Sequence, residues 1–231
     1  MKTLNTYLES LLDDDDIFLD PENDIKCWIN DNYKFTGKLT ISNDFVVDCN
    51  GGVGVRNTSI TSLTNGLFEW GVVGRSFSCS DCAKLKSLEG APKEVGETFY
   101  CYDCDNLTSL EGAPERVGDL FDCSDCKNLT SLKGAPEKDV KRFNCSNCDK
   151  LTSLEGAPEE VTGGFYCNVC NNLKTLKGAP KKVDGDFSCS DCKNLTSLKG
   201  APKKVGSLFY CSGCPKLTIT DSDRKKYEIR D

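Results

Sequence analysis

The 231-residue chain contains no histidine, one methionine and two tryptophans. Without histidine, the commonest general base and every His-based nucleophile triad are excluded, and no phosphate loop or dinucleotide fingerprint takes their place. No run of about 18 apolar residues occurs, and the N-terminus lacks the basic, apolar and small-residue order of a secretory signal. We therefore expect no catalytic residue, no cofactor and no membrane partner, and a cytoplasmic location.

Basic residues are also not in surplus. Residues 1–76 carry 12 acidic and 6 basic side chains, and residues 77–231 carry 24 acidic and 23 basic ones. A nucleic-acid-binding protein normally needs excess Lys and Arg to displace phosphate counterions. This balance predicts that duplex DNA or RNA is not a partner. An enzyme that uses carboxylates is an open alternative. However, the acidic residues recur with the repeat described next, as solvated surface charge would.

A 22-residue repeat dominates the sequence. Its pattern is Phe-x-Cys-x-x-Cys-x-x-Leu-x-x-Leu-x-Gly-Ala-Pro-x-x-Val, and fourteen of the sixteen cysteines occupy its two Cys columns. Such a fixed period is the signature of a stacked repeat architecture. We number the units 1 to 7 by their first residues, which are Phe77, Phe99, Phe121, Phe143, Phe165, Phe187 and Phe209.

Residue spacing within a unit predicts one short strand followed by an irregular return path. Phe and the first Cys are two residues apart, so they point to the same side of a strand. Gly-Ala-Pro then prevents a helix, because Pro lacks an amide hydrogen and restricts its predecessor. Stacked units would cover each other's apolar side chains. Seven buried Phe side chains would contribute roughly 14–20 kcal/mol as an upper bound, before chain entropy is subtracted.

This pattern resembles the leucine-rich repeat, L-x-x-L-x-L-x-x-N/C-x-L, over residues 77–217. Phe and the first Cys take two strand positions, and the second Cys takes the Asn/Cys position. The units Cys-Lys-Asn-Leu-Thr-Ser-Leu-Lys-Gly-Ala-Pro at 126–136 and 192–202 are similar to those of leucine-rich-repeat proteins from gut bacteria and their bacteriophages. The resemblance implies a mostly β, leucine-rich-repeat-like solenoid with parallel short strands.

Two units depart from the pattern. In unit 3 the Val moves one place to Val140 and Asp139 takes its position, so the turn there must be rebuilt. After Cys214 the chain abandons Gly-Ala-Pro for a charged tail, which we interpret as a polar end cap. Repeat arrays need such caps to cover their open ends.

We divide the chain into four parts: a helical and acidic N-terminal cap with a leader (1–37), a hairpin and degenerate first repeat (38–76), the repeat array (77–214) and a C-terminal cap (215–231). Asp20 and Pro21 predict a helix start, with Ile25, Trp28 and Ile29 as its apolar stripe, and this helix should cover the N-terminal edge of the sheet. Residues 38–41 and 45–49 should pair as strands, and residues 53–63 match a shortened repeat.

The first residues suggest a leader. Residues 3–12 have a helical pattern, and residues 13–16 form an acidic run that we interpret as a solvated linker in preference to a calcium site. Residues 4–14 are similar to a short leader found on unrelated proteins of gut phages, which implies an address in the virion as the alternative to the cytoplasm.

The cysteines admit three interpretations. Cys-x-x-Cys pairs supply thiolates to many zinc sites, but rungs about 4.8 Å apart would place thiols in columns and not in tetrahedral groups. Seven cysteines in one column cannot all form disulfides, and a chain without an export signal lies in a reducing compartment. We favour free, buried thiols that act as small apolar side chains, with the second thiol bonded to turn backbone and no metal bound. Cys27 and Cys49, which lie outside the repeat, should also be buried.

The best candidate site is the face of the strands opposite Phe and Cys. Residues at these positions vary between units while the inward positions do not, and exposed Tyr is a favoured interface anchor. We expect a non-enzymatic scaffold that binds a protein partner. A virion structural protein and a Cys-rich zinc scaffold are the alternatives. The expected contact residues are Tyr100, Tyr102, Asp122, Asn144, Tyr166 and Tyr210.

Overall fold

The computed structural model describes residues 20–137 and 139–231. Within them the chain is a mostly β solenoid of parallel short strands with two short helices, which confirms the predicted fold class. The helix predicted at residues 3–12, the leader at 4–14 and the acidic run at 13–16 lie outside the described residues. No described helix has the length and apolar character needed to cross a bilayer.

The largest sheet contains one strand from each repeat, and we call it the Phe sheet. All neighbouring strands in it are parallel except the first two, and each Phe lies opposite the Phe of the next unit. Val53 lies opposite Phe77, as the shortened repeat predicts. In spatial order the strands are β1 (Tyr33–Phe35), β4 (Val53–Val55), β6 (Phe77–Ser78), β8 (Phe99–Tyr100), β10 (Leu120–Asp122), β11 (Arg142–Asn144), β13 (Phe165–Tyr166), β15 (Phe187–Ser188), β17 (Phe209–Tyr210) and β18 (Ile229–Arg230).

The seven Phe rings form one continuous stack. Phe77 and Phe99 have centroids 5.6 Å apart, and Phe121 and Phe143 have centroids 5.3 Å apart, with planes inclined by only 5° and 7°. All seven side chains are fully buried. Offset stacking at this distance is favourable beyond the burial itself. The constant period, kept in register from unit to unit, therefore creates the core.

A second line of strands runs along the Val column, so the prediction of one strand per repeat was wrong. The return path after Gly-Ala-Pro includes an exposed or half-buried residue followed by a Val, which is buried in every such strand except at Val205. Its backbone groups bond to the neighbouring units, because buried amides need partners. We call these strands the Val sheets. The N-terminal Val sheet contains β2 (Leu39–Ile41), β3 (Val46–Cys49), β5 (Glu69–Val73), β7 (Glu94–Val95) and β9 (Arg116–Val117), and the C-terminal one contains β12 (Glu160–Val161), β14 (Lys182–Val183) and β16 (Lys204–Val205).

Unit 3 separates the two Val sheets, at the place where the sequence shifts its Val. Val140 remains buried, but Asp139 adopts a left-handed backbone (φ 61°), and no strand forms there in the described part of the turn. Arg116 and Asp139 form an ion pair of 3.0 Å across the interruption. A groove of about 480 Å³ lies over it, lined by the Gly-Ala-Pro turns of units 2 and 3. The prediction that the shifted Val changes the turn of unit 3 is therefore confirmed.

Helix α1 (Pro21–Asn32) begins as predicted, with the Asp20 carboxylate accepting a hydrogen bond from the Asn23 amide at 3.1 Å. Ile25 and Ile29 are buried, whereas Cys27 is exposed, so the prediction that Cys27 is buried was wrong. Cys27 lies two residues from each Ile and therefore faces the opposite side of the helix.

Strand β1, and not the helix, forms the N-terminal edge of the Phe sheet, where it pairs with β4. The Tyr33 side chain on β1 is buried, and its hydroxyl donates to the Leu63 carbonyl at 2.8 Å. The expected hairpin is present, because β2 and β3 pair antiparallel. Cys49 on β3 is buried, as predicted.

At the C-terminus, helix α2 (Asp221–Lys226) is held by a capping box between Thr220 and Asp223. The cap is less polar than the sequence suggested, because buried Tyr227 packs on Phe209 with ring centroids 4.7 Å apart. Ile229 on β18 pairs with the same Phe. The cap therefore extends the core by one aromatic ring and one strand.

Candidate functional site

Every unit turns sharply after its first Cys, and this turn fixes the outer face of the Phe sheet. The second residue after that Cys has a left-handed backbone in all seven units, with φ between 53° and 67°. Asp, Asn and Gly tolerate this conformation best. They occupy it in six units, with Val169 as the exception; the seven residues are Asp81, Asp103, Asp125, Asn147, Val169, Asp191 and Gly213.

The second thiol of each unit bonds to the preceding unit. Its sulfur donates to the carbonyl of the first Cys in that unit, as Cys126 does to Cys101 at 3.2 Å and Cys104 to Cys79 at 3.1 Å. The same bond recurs in all units from 2 to 7. This geometry confirms the prediction that the second thiol bonds to the backbone, because it donates to a carbonyl oxygen. The need for a small hydrogen-bond donor explains why Cys recurs at this position.

Asparagine side chains form a second line of such bonds. Asn106, Asn128, Asn172 and Asn194 each donate to the backbone carbonyl 23 residues earlier, at distances of 2.5–2.8 Å. These Asn side chains thus join neighbouring units.

All sixteen cysteines are free, and fourteen of them are buried. Burial raises the pKa of the first-column thiols well above the ordinary value, and burial likewise raises the pKa of Cys126 in the second column to about 12. A buried neutral thiol is a poor nucleophile and a poor metal ligand. Within residues 20–137 and 139–231, no group of three or more Cys, Asp or Glu side chains is arranged to hold a metal ion.

Cys214 differs from the other ladder thiols because it lies half-buried at the end of its column. Its pKa is lowered to about 7, mainly because its thiolate can accept the hydrogen of the Cys192 thiol, which bonds to the Cys167 carbonyl while Cys214 is protonated. A lowered pKa means that a larger fraction is thiolate at neutral pH. Cys214 is therefore the most acidic thiol in the repeat array.

The six predicted contact residues all lie on the outer face of the Phe sheet, in units 2, 3, 4, 5 and 7. Each is half-buried and not fully exposed. Their positions alternate with the buried Phe and Cys, as the spacing predicts. Three Ser residues of the same face, Ser80, Ser124 and Ser188, are buried. The six predicted contact residues are therefore more accessible than these three Ser residues.

In the centre of this face, polar side chains already bond to each other. Asn144 donates to the Asp122 carboxylate at 3.1 Å, and the Ser124 amide donates to the same oxygen at 3.0 Å. The Ser146 amide in turn donates to Asn144 at 3.1 Å. Asp122 and Asn144 are thus brought together by the structure, and their oxygens help to hold the sheet.

The four Tyr side chains are arranged differently. Tyr100 and Tyr102 form an edge-to-face pair with centroids 6.1 Å apart at one end of the face, and Tyr166 and Tyr210 lie separately toward the other end. None of the four hydroxyls has a hydrogen-bond partner among the described residues. A Tyr with a partly covered ring and a free hydroxyl can contribute both apolar area and a hydrogen bond to a partner.

Two further residues on this face were missed by the sequence analysis. The Tyr166 ring lies across Gly164, where a Cβ atom would collide with the Tyr hydroxyl. Val169, at the left-handed turn of the same unit, is 37% exposed with φ 58°. A β-branched residue is strained in this conformation. The signal was present in the sequence, because Val169 interrupts a column of Asp, Asn and Gly.

Comparison with known protein families, curated proteins and solved structures found no match. The assignment of function therefore depends on the geometry of this face.

Labelling with iodoacetamide should distinguish these classes of thiol. In the native protein at pH about 7.5 we expect modification of Cys27 and Cys214 only, because burial protects and protonates the others. The extent at each cysteine is read by peptide mass spectrometry. The rate at Cys214 should reach half its maximum near pH about 7, since its thiolate forms there.

The Cys192→Ala variant is the control, because it removes the donor and should move the Cys214 midpoint up toward the ordinary thiol value of about 8.5. An unchanged midpoint in the variant, or rapid native labelling along the whole column, contradicts this description of the thiols.

Proposed function

We propose that the protein is a non-enzymatic repeat scaffold that binds a partner protein through the outer face of the Phe sheet. The scaffold is rigid because every unit is joined to its neighbours by strand pairing, thiol bonds and ring stacking. Interfaces gain from such preorganised surfaces, since little conformational entropy is lost on binding.

The observation that carries this proposal is the contrast between the two sides of one sheet. The inward side repeats Phe and Cys without variation, whereas the outer side varies between units and carries four Tyr side chains with free hydroxyls in the described structure. Tyr is enriched among residues that dominate binding energy. The central hydrogen-bonded group, Asp122 and Asn144, would then form the polar part of the contact.

We further propose that the chain is a leucine-rich-repeat protein of the kind found in gut bacteria and their bacteriophages. The repeat pattern and its constant period support this assignment, as does the use of the Asn/Cys position to bond turn backbone. Sixteen free thiols are consistent with a reducing cytoplasm. Location in a virion remains the alternative proposal.

Replacing Tyr100, Tyr102, Tyr166 and Tyr210 together with Ser should abolish capture of the partner. Each change removes ring area from the face without cutting a hydrogen bond of the described fold. Affinity purification from the native host, with bound proteins quantified by mass spectrometry, compares this variant with the unchanged chain. The circular dichroism spectrum should be the same for both.

Val72→Ser is the matched control, because Val72 is 45% exposed but lies on a Val sheet. It should capture the same proteins as the unchanged chain. If the Tyr variant retains its partner, the outer face of the Phe sheet is not the binding surface.

Val169→Asn should stabilise the fold and weaken binding. Asn relieves the strained left-handed turn, so the free energy of unfolding should rise by about 1 kcal/mol, while the exposed apolar side chain is lost from the face. Urea unfolding measures the first effect and the affinity purification measures the second. A gain in stability together with a loss of binding would indicate that Val169 serves partner contact at the expense of stability.

The reciprocal variant Asp103→Val places a β-branched residue at the same turn of unit 2 and should lower the free energy of unfolding by about 1 kcal/mol. The interpretation of Val169 fails if Val169→Asn destabilises the fold or leaves partner capture unchanged.

A further inference from the structure

The charges on the Gly-Ala-Pro turns change sign abruptly along the solenoid. In unit 4 the three charged positions that flank Gly-Ala-Pro are all Glu, and in units 5 and 6 they are all Lys. The acidic set and the first basic set are therefore stacked on each other, and the second basic set follows at the end of the array. The residues are Glu155, Glu159 and Glu160, then Lys177, Lys181 and Lys182, then Lys199, Lys203 and Lys204.

Units 4 and 5 show how these sets fit together. Strands β12 and β14 pair in parallel, with Glu160 opposite Lys182 and Val161 opposite Val183. Glu159 and Lys181 form an ion pair of 2.6 Å, and the Lys181 amide donates to the Glu159 carbonyl at 2.7 Å. An extended Glu-Glu-Val segment thus fits beside Lys-Lys-Val through charge and backbone together.

Unit 6 repeats Lys-Lys-Val at the open edge of the C-terminal Val sheet. Strand β16 pairs with β14 on one side and has no strand on its other side in the described structure. In the preceding unit the Lys181 and Val183 carbonyls accept bonds from the Lys203 and Gly206 amides at 2.9 and 2.8 Å.

At the open edge of β16, the described residues supply neither hydrogen-bond donors to the corresponding carbonyls nor acidic partners to the lysines. The equivalent carbonyls of Lys203 and Val205 accept no bond from residues 20–137 or 139–231, and Lys199, Lys203 and Lys204 form no ion pair there. The open edge therefore combines free backbone acceptors with three uncompensated positive charges.

The C-terminal cap leaves this edge uncovered. Its strand β18 continues the Phe sheet, and the Tyr227 hydroxyl donates to the Pro202 carbonyl at 2.6 Å. Lys226 also donates to Pro202, at 3.2 Å. The cap thus reaches the residue before Lys203 and adds a further positive charge there.

We propose that the free edge of β16 binds an extended acidic segment of a partner protein, which adds as a parallel strand with two acidic residues beside Lys203 and Lys204 and an apolar residue beside Val205. Addition of a strand to an open edge is an established mode of peptide recognition. This surface is separate from the outer face of the Phe sheet and does not depend on it.

The hydrogen bonds available at the edge favour a peptide over a nucleic acid. The free backbone groups are carbonyl oxygens, which need donors, and a peptide supplies amide hydrogens together with carboxylates. A phosphodiester chain brings acceptors alone to these positions, so it could use the lysines but not the strand edge. The Glu159–Lys181 ion pair is the template for the charge contacts of the peptide complex. The template for its backbone bonds is the pairing of units 5 and 6, in which the Lys181 and Val183 carbonyls accept from the amides of the following unit.

The test uses the full chain and a fluorescent peptide with the sequence of residues 156–164, Gly-Ala-Pro-Glu-Glu-Val-Thr-Gly-Gly. Binding is measured by fluorescence anisotropy at about 50 mM salt, where ion pairs are weakly screened. We expect saturable binding that weakens at least about tenfold when both Glu residues of the peptide become Gln. Zero-length carbodiimide crosslinking should join the peptide to Lys203 or Lys204.

A second peptide, N-methylated at the first Glu and at Thr, keeps its charge but loses the two amide donors that correspond to those of Lys203 and Gly206 in the pairing of units 5 and 6. It should bind at least about tenfold more weakly, because the strand bonds cannot form. Equal binding of the methylated peptide would show a purely electrostatic contact and would overturn the proposal.

On the protein, Lys203→Glu with Lys204→Glu should abolish binding. The matched control is Lys84→Glu with Lys86→Glu, which makes the same charge change at two exposed lysines of unit 1 and should bind normally. Circular dichroism checks that both variants are folded. If the unchanged protein binds the Glu and Gln peptides equally, the lysines serve only to protect the edge from self-pairing, as edge lysines do in other sheets.

Discussion

The stacking of identical side chains in register is the interaction on which the rest of this structure depends. The constant repeat length places each Phe directly beside the next, and the rings of Phe99 and Phe121 lie 5.3 Å apart as a result. The same register brings the second thiol of each unit from 2 to 7 to a carbonyl of the preceding unit. One coil could not bury these groups alone, so cohesion arises between units.

Because the inward residues hold the units together, the outward residues of the Phe sheet can vary. Because Phe, Cys, Leu and Val fill the interior, exchanges on the outer face of the Phe sheet cost little core stability, and Tyr, Asp, Asn and Ser succeed each other there. The ends of the array have a different role. The N-terminal edge of the Phe sheet is formed by the antiparallel strand β1, whereas the C-terminal Val sheet ends at β16, whose outer side has no strand in the described structure.

The sequence predicted the features that follow the repeat period and missed those that do not. Phe77 to Phe209, the thiol bonds and the shift at Val140 could be inferred from spacing. Tyr227 could not, because its distance from Phe209 along the chain is shorter than one repeat and it enters the core from the cap. The Val strands were missed because two residues per unit are too short for an alternating pattern. The outer face was located, but its bonded Asp122 and Asn144 required coordinates.

A double-mutant cycle on the ring stack tests the central claim most directly. Phe121→Leu and Phe143→Leu, alone and together, are compared in urea unfolding with the distant pair Phe99→Leu and Phe187→Leu. We predict a coupling free energy of about 0.5–1.5 kcal/mol for the adjacent rings and one below about 0.5 kcal/mol for the distant rings. Equal coupling in the two pairs, or none in either, would contradict a continuous stack of rings.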